Sequence, residues 1–213
     1  MFGTMIDWML HLDRYLAALA VEYSTLVYVL LFAVIFIETG IVVMPFLPGD
    51  SLLFVAGALA AKGLFSLPLL VPLLIVAAIA GDTLNFAFGS LMGDKMAHGR
   101  RPRFIKAEYL ARTEGFYERH GRKTIVLARY VPIVRTLAPF VAALGSMPYP
   151  AFVVYNVIGG VLWVVSLVGA GYAFGNVPWV SDNLTAVLLG IIFLSLLPGL
   201  VAWAREALAG KVR

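Results

Sequence analysis

Hydrophobic residues run through this chain in long blocks. A bilayer-spanning helix needs about 20 apolar residues, and four blocks meet that length: Tyr23–Met44, Leu67–Gly93, Tyr149–Gly175 and Leu184–Trp203. Two further apolar stretches are interrupted. Residues 45–61 open with Pro-Phe-Leu-Pro-Gly, and residues 124–147 contain Pro132 and Pro139. Both read as re-entrant hairpins, each entering the membrane and returning to its own face, with a kinked full span as the other reading. Irregular backbone at that depth is tolerated only where protein or water satisfies it. The stretches also resemble each other. "PGDSLLFVAGAL" (Pro48–Leu59) and "VRTLAPFVAALG" (Val134–Gly145) come into near register when Asp50-Ser51-Leu52 is set against Arg135-Thr136-Leu137. Entry from opposite sides would make them an inverted repeat, and in transporters such a pair of broken segments points to the binding site. Chance likeness between apolar strings is the alternative.

Composition agrees with a bilayer as solvent. Of 213 residues, 62% are hydrophobic and 13% charged, more apolar surface than a soluble domain of this size can hide. The expected fold class is therefore all-α: one polytopic membrane domain, 1–213, with about four spanning helices, two opposed re-entrant hairpins and interfacial amphipathic helices. Nine of the 16 Lys and Arg lie between Lys95 and Lys123. That clustering places the loop 94–123 in the cytoplasm by the positive-inside rule, and Arg205, Lys211 and Arg213 place the C-terminus there too. The two sides agree if 124–147 returns to its own face. A nucleic-acid partner is a poor reading, because little polar surface is left for one. The absence of cysteine excludes disulfides and thiolate chemistry.

Two surface helices are expected. In residues 1–20, Asp7, His11 and Arg14 share one face while Trp8, Met9, Leu12 and Leu16 lie off it, as in a helix at the membrane surface. The other expectation for this segment is a frayed start to the first span. In the basic loop, Ile105, Tyr109, Phe116 and Tyr117 recur at helical spacing, with Lys106, Arg112, Glu114 and Glu118 largely opposite. This suits an interfacial helix whose basic residues face lipid headgroups.

Five ionisable residues interrupt the apolar segments: Glu38, Asp50, Asp82, Arg129 and Arg135. An ionised side chain at bilayer centre costs about 2.5–3.5 kcal/mol on insertion scales, so the five must pair, protonate or face water. Glu38 and Asp50 are expected to pair with Arg129 and Arg135. Asp82 can stay neutral or hydrogen-bond to Asn85 or Asn156. The quartet can be structural, tying the two halves together, but buried ion pairs are weak contributors to stability and hydrophobic packing would serve as well. The residue types suggest a ligand instead. Arginine keeps its charge and grips phosphate with a planar fork. Half-helix N-termini add backbone donors; Asp50-Ser51 suits the N-cap of a half-helix starting at Leu52, and Thr136 a similar place after Arg135. Such a pocket fits an anionic headgroup. Desolvation and a neighbouring guanidinium act in opposite senses on a carboxylate. A phosphate competing for the same arginine changes that balance, so binding and protonation are expected to be linked.

Other features are less specific. Gly169, Gly171 and Gly175 are read as packing positions, and Trp163, Tyr172 and Trp179 as an interfacial aromatic belt. His11, His98 and His120 all lie outside the apolar blocks, which argues against a histidine-dependent membrane phosphatase. No Gly-rich phosphate loop, Ser/His/Asp arrangement or metal cluster is visible. No enzyme activity, cofactor or metal is expected.

The motifs "FIETGIVVMPFLPGDSLLFVAGALA" (Phe36–Ala60), "GDTLNFAFG" (Gly81–Gly89), "FYERHGRKTIVLARYVPIVRTLAPFVAALGSM" (Phe116–Met147) and "YNVIGGVLWV" (Tyr155–Val164) resemble the DedA family of bacterial inner-membrane proteins, and the resemblance covers nearly the whole chain. It implies two opposed re-entrant hairpins and a role in lipid transport: the return of undecaprenyl phosphate, a polyprenyl phosphate carrier lipid of envelope synthesis, across the inner membrane, with the proton-motive force implicated. By that resemblance Glu38 and Asp50 are the acidic pair that balances charge and exchanges protons, and Arg129 and Arg135 the basic pair for the phosphate headgroup. Asp82, Ser51, Thr136 and Asn156 are possible accessory residues. Proton-coupled transport of a small ion or solute, passive lipid scrambling and a non-transporting scaffold remain the competing readings, and oligomerisation is open.

Overall fold

The computed structural model describes residues 24–41, 49–97, 117–178, and the single residues 113, 115 and 190. The expected N-terminal surface helix, the span 184–203, residues 45–48 and most of the basic loop lie outside the described residues. The described chain is helical: α1 (Ser24–Gly40), α2 (Gly49–Ala61), α3 (Leu67–Ala97), a 3-10 turn (Gly121–Lys123), α4 (Thr124–Ala128), α5 (Pro132–Leu144) and α6 (Tyr149–Gly175). Among the described residues, two stretches are long and apolar enough to cross a membrane, Leu67–Met92 and Tyr149–Gly175. They match the expected second and third spans. Within the first expected span, α1 has 17 residues. It starts beside the turn after α2, where the Ser66 N–H donates to Tyr28 Oη at 2.8 Å, and ends against the start of α2, where Glu38 meets Gly49, so it runs antiparallel to α2 rather than past it.

The two broken segments share one local design. Helices α2 and α5 have 13 residues each. At about 1.5 Å per residue each rises some 20 Å, well short of the ~30 Å hydrocarbon core. Both end in a Schellman closure. After α2, Gly63 N–H donates to the Ala60 carbonyl and Leu64 N–H to the Leu59 carbonyl. After α5, Ser146 N–H donates to Ala143 and Met147 N–H to Ala142. The residue that turns the chain has φ +80° at Gly63 and φ 56° at Ser146. The left-handed region is free for glycine and strained for serine. A long helix follows each turn. The offset between the two units is constant at 83 positions (132 − 49, 144 − 61 and 146 − 63). The sequence alignment of Asp50 with Arg135 implies 85, so it is slipped by two residues: the turns at Gly63 and Ser146, not the charges, carry the register.

Proline sets the break before α5. The residue preceding a proline is pushed out of the helical region, and Val131, before Pro132, is extended at φ −120°, ψ 104°. Helix α4 therefore closes at Ala128 and places Arg129 at its C-cap. Pro132 occupies the first turn of α5, where its missing N–H is harmless.

Packing exchanges the halves. Helix α2 packs mainly against α6, and α5 against α3. Small residues make the α2–α6 approach close: a Cβ on Gly171 would run into the Phe54 carbonyl, one on Gly57 into the Val168 carbonyl, and one on Gly175 into the backbone of Ala58. Gly169, expected to pack as well, meets nothing within 4 Å, because it points away from α2. These contacts, and those of Asn85 with Thr136 and of Gly89 with Phe140 and Ala143, run each short helix parallel to its long partner. Helices α3 and α6 are antiparallel: Phe86 stacks on Phe152 at 4.3 Å between ring centroids, while Ile79 meets Asn156 and Gly160. The two hairpin turns consequently lie at opposite ends of the α3–α6 pair. The outer faces of the long helices are apolar and exposed, as at Val76, Leu91, Leu162 and Phe174, which suits lipid rather than water.

Candidate functional site

The N-terminal ends of α2 and α5 meet near the middle of the long helices. Asp82 is 15 residues from either end of α3 (82 − 67 and 97 − 82), and Trp163 lies near the centre of α6. All five intramembrane ionisable residues of the sequence gather there, as two clusters.

Arg135 forms the first. Its Nη2 donates to Glu38 Oε1 at 2.5 Å and its Nη1 to Asp50 Oδ1 at 2.7 Å. One planar guanidinium thus joins α1, α2 and α5, a use that depends on the fork. Glu38 lies over Gly49, where any Cβ would overlap its carboxylate; a glycine here lets α2 begin against α1. Asp50 sits in the first turn of α2. That is inside the helix, which begins at Gly49 and not at Leu52 as expected, so Asp50 and Ser51 are not caps. Thr136 is likewise in the body of α5.

Arg129 forms the second cluster. Its Nη2 donates to Asp82 Oδ2 at 2.5 Å and to Asn156 Oδ1 at 2.6 Å. The expected pairing of Arg129 with Glu38 or Asp50 is thereby corrected: the break at Pro132 leaves Arg129 on α4, facing α3 and α6, while Arg135 faces α1 and α2. Asn156 is fixed from behind, its Nδ2 donating to the Ile79 carbonyl at 3.1 Å and to Thr83 Oγ1 at 3.4 Å. Gly159 leaves room for the Arg129 side chain. Asn85 does not serve Asp82. Its Nδ2 bridges the carbonyls of Thr39 at 3.1 Å and Thr136 at 2.8 Å, since it lies one helical turn beyond Asp82 towards α5. Ser51 is buried in α2.

Trp163 was expected at the membrane interface and is in fact in the site, 1% exposed. Its ring centroid is 5.2 Å from the Arg135 guanidinium carbon and 5.8 Å from that of Arg129, within cation–π range of both. Its Nε1–H donates to Asp50 Oδ1 at 2.9 Å. A buried indole N–H must find an acceptor, and Asp50 supplies it. Tyr117, expected on the apolar side of the interfacial helix, is tied into the fold instead: its hydroxyl donates to the Ala138 carbonyl at 2.9 Å and joins the segment before α4 to α5.

Burial divides the site unevenly. The side chain of Asp50 is 25% exposed, against 0% for Glu38, 5% for Asp82, 2% for Arg129 and 7% for Arg135. Arg129 Nε and Nη1, Arg135 Nε, Asn85 Oδ1 and Glu38 Oε2 are buried and make no hydrogen bond within the protein. Unpaired buried polar atoms are costly, and here they are mostly cationic donors. The arrangement can take up an anion. Among the described residues no group of three His, Asp or Glu side chains is disposed to hold a metal.

Residues 47–173 match the VTT domain model. The chain belongs to the VTT-domain, or DedA, family. It is 50% identical over 204 residues to Protein DedA of Escherichia coli strain K12, covering 95% of this chain and 93% of that protein. An uncharacterized membrane protein of Mycobacterium leprae is 43% identical over 169 residues, covering 79% and 76%. Inner membrane protein YghB of E. coli K12 is 33% identical over 174 residues, covering 82% and 78%. No solved structure matches the chain. As a DedA-family protein the chain is a membrane protein, and the matched region contains Asp50, Asp82, Arg129, Arg135 and Trp163, with Glu38 just before it.

Proposed function

We propose that this DedA-family protein returns a polyprenyl phosphate carrier lipid, undecaprenyl phosphate, across the bacterial inner membrane, coupled to protons. The observation that carries the reading is the pair of buried arginines, Arg129 at the end of α4 and Arg135 in the first turn of α5, with three guanidinium nitrogens left without a protein partner. In this reading α2 and α4–α5 are re-entrant, entering from opposite faces, and the basic loop and C-terminus are cytoplasmic. The 20 Å rise of the short helices and the placement of the two turns at opposite ends of α3 and α6 support that topology. The phosphate headgroup reaches the arginines from either face in turn, while the prenyl tail stays in lipid, where its transfer costs nothing. Glu38 and Asp50 carry the charge balance and the protons. No bond is made or broken.

Reconstitution in liposomes with labelled undecaprenyl phosphate is the test. Transport that accelerates with an imposed pH gradient is expected. Equal rates with and without the gradient would leave passive scrambling, and transport of a small solute with no movement of the lipid would replace the lipid reading altogether.

A further inference from the structure

Asp50 Oδ1 receives two donors from two different elements. Arg135 Nη1 reaches it from α5 at 2.7 Å, and Trp163 Nε1 from α6 at 2.9 Å. The indole carries one hydrogen and accepts nothing, so this oxygen is its whole complement. The frame around the two donors is stiff. Trp163 is held against both guanidiniums, and Arg135 is anchored through Nη2 to the fully buried Glu38. The acceptor is the least enclosed member of the site, with a quarter of its side chain exposed. Two aligned N–H donors at these distances make a seat for one anionic oxygen. A carboxylate and a phosphate monoester offer that oxygen equally well.

We propose that Asp50 is a tethered stand-in for the substrate: its carboxylate fills an oxyanion seat built by Arg135 Nη1 and Trp163 Nε1, and an incoming phosphate monoester displaces it and takes both donors. This rests on the reading of the site as one for a phosphate headgroup. It adds a ligand from α6, Trp163, and it makes Asp50 a competitor of the headgroup. Displacement is open to Asp50 because its exposed edge already faces outward, while Glu38 stays on Nη2 and keeps the guanidinium aimed. The seat is then never empty, which spares two buried donors the penalty of going unpaired at every stage of the exchange.

The test uses the full chain in detergent and farnesyl monophosphate, with farnesol as the probe lacking a headgroup, and reads affinity by calorimetry. Trp163→Phe keeps the ring and loses the donor, and is expected to weaken binding about tenfold, the worth of one charge-assisted hydrogen bond. Asp50→Ala removes the competitor and is expected to tighten binding by a similar factor. The combination decides between ligand and support. If Trp163 touches the phosphate, Trp163→Phe still weakens binding in the Asp50→Ala background. If Trp163 only holds Asp50 in place, it has no effect there, and the proposal falls. Weaker binding in Asp50→Ala overturns it as well. A second measurement does not depend on variants of the site. With Trp8, Trp179 and Trp203 replaced by Phe, the one remaining indole ¹⁵N–¹H signal should shift at saturating farnesyl monophosphate and stay in place with farnesol; an unmoved signal in bound protein overturns the proposal. Should the unaltered chain bind the phosphate no better than farnesol, the phosphate reading itself fails. Binding that is intact but indifferent to Trp163 removes only the stand-in.

Discussion

Arg135 and Asp50 are 85 positions apart in the chain and 2.7 Å apart in the fold. The bond between them joins the two 13-residue helices at the middle of the molecule, and the same guanidinium holds α1 through Glu38. Arg129, by contrast, reaches both Asp82 and Asn156 through one nitrogen.

That difference predicts unequal consequences for the same substitution. Lysine has one nitrogen and no fork. Arg135→Lys cannot keep both Glu38 and Asp50 at hydrogen-bond length and should lower lipid transport about tenfold or more, the effect of losing a charge-assisted bond. Arg129→Lys can still reach Asp82 and Asn156 and should impair transport less, through its missing Nε and Nη1. Both variants should insert in the membrane. Liposome transport rates for the two variants check the order; equal loss would mean the fork at Arg135 has no special part.

The α2–α6 crossing gives a stability prediction with its own control. A Cβ at position 171 would overlap the Phe54 carbonyl, whereas one at 169 meets nothing within 4 Å. Gly171→Ala should destabilise the protein by about 1–3 kcal/mol through overpacking of two backbones. Gly169→Ala, on the same helix two residues away, should stay within about 0.5 kcal/mol of the parent. Thermal unfolding in one detergent measures both, and a similar shift for the two would contradict the close crossing.

How much of this was legible in the sequence follows from which physical signal each feature emits. Helix α6 was placed to the residue, because a long apolar block between Pro148 and Asn176 has one reading. The two interrupted segments were found from Pro and Gly, and the charged set from its cost in apolar surroundings. The pairing within that set was not legible. Arg129 and Arg135 are six residues apart and chemically alike, and only the extended Val131 between them decides that one faces α3 and the other α1. Trp163 was misplaced because aromatic residues near helix ends and aromatic residues at helix centres look alike in an apolar string; its position near the middle of α6 was the available clue. Asp50 was assigned to a cap because Asp after Pro-Gly favours that place, yet its carboxylate is drawn to Arg135 and Trp163 instead. The repeat was seen, but two residues out of register, since alignment followed the charged positions while the structure repeats the turns at Gly63 and Ser146.

Opposed entry of the two hairpins makes a topological prediction. Lys62 lies in the turn after α2 and Arg119 just before α4, and both are exposed. With α2 entering from outside, Lys62→Cys should react with an impermeant maleimide in intact cells, and Arg119→Cys only after the inner membrane is opened. The native chain has no cysteine, so each label reports one position. Labelling of both from the same side would leave the turns at opposite ends of α3 and α6 but exclude the proposed placement in the membrane.

Charge counting supplies the last prediction. Three carboxylates, Glu38, Asp50 and Asp82, face two guanidiniums in the site. A phosphate headgroup arriving there adds negative charge in surroundings where the Coulomb energy is large. Binding should therefore bring protons with it, on the order of one per headgroup, and release should return them. Glu38→Gln and Asp50→Asn each keep the shape of the carboxyl group and remove a proton site. Together they should abolish gradient-driven transport and leave headgroup binding, because both arginines remain. The measurement is proton uptake in weakly buffered detergent as farnesyl monophosphate is added, the unaltered chain against the double variant. A large drop is expected. Undiminished uptake would show that these two carboxylates do not carry the coupling and would transfer it to Asp82, the third carboxylate of the site, which the double variant leaves in place on Arg129.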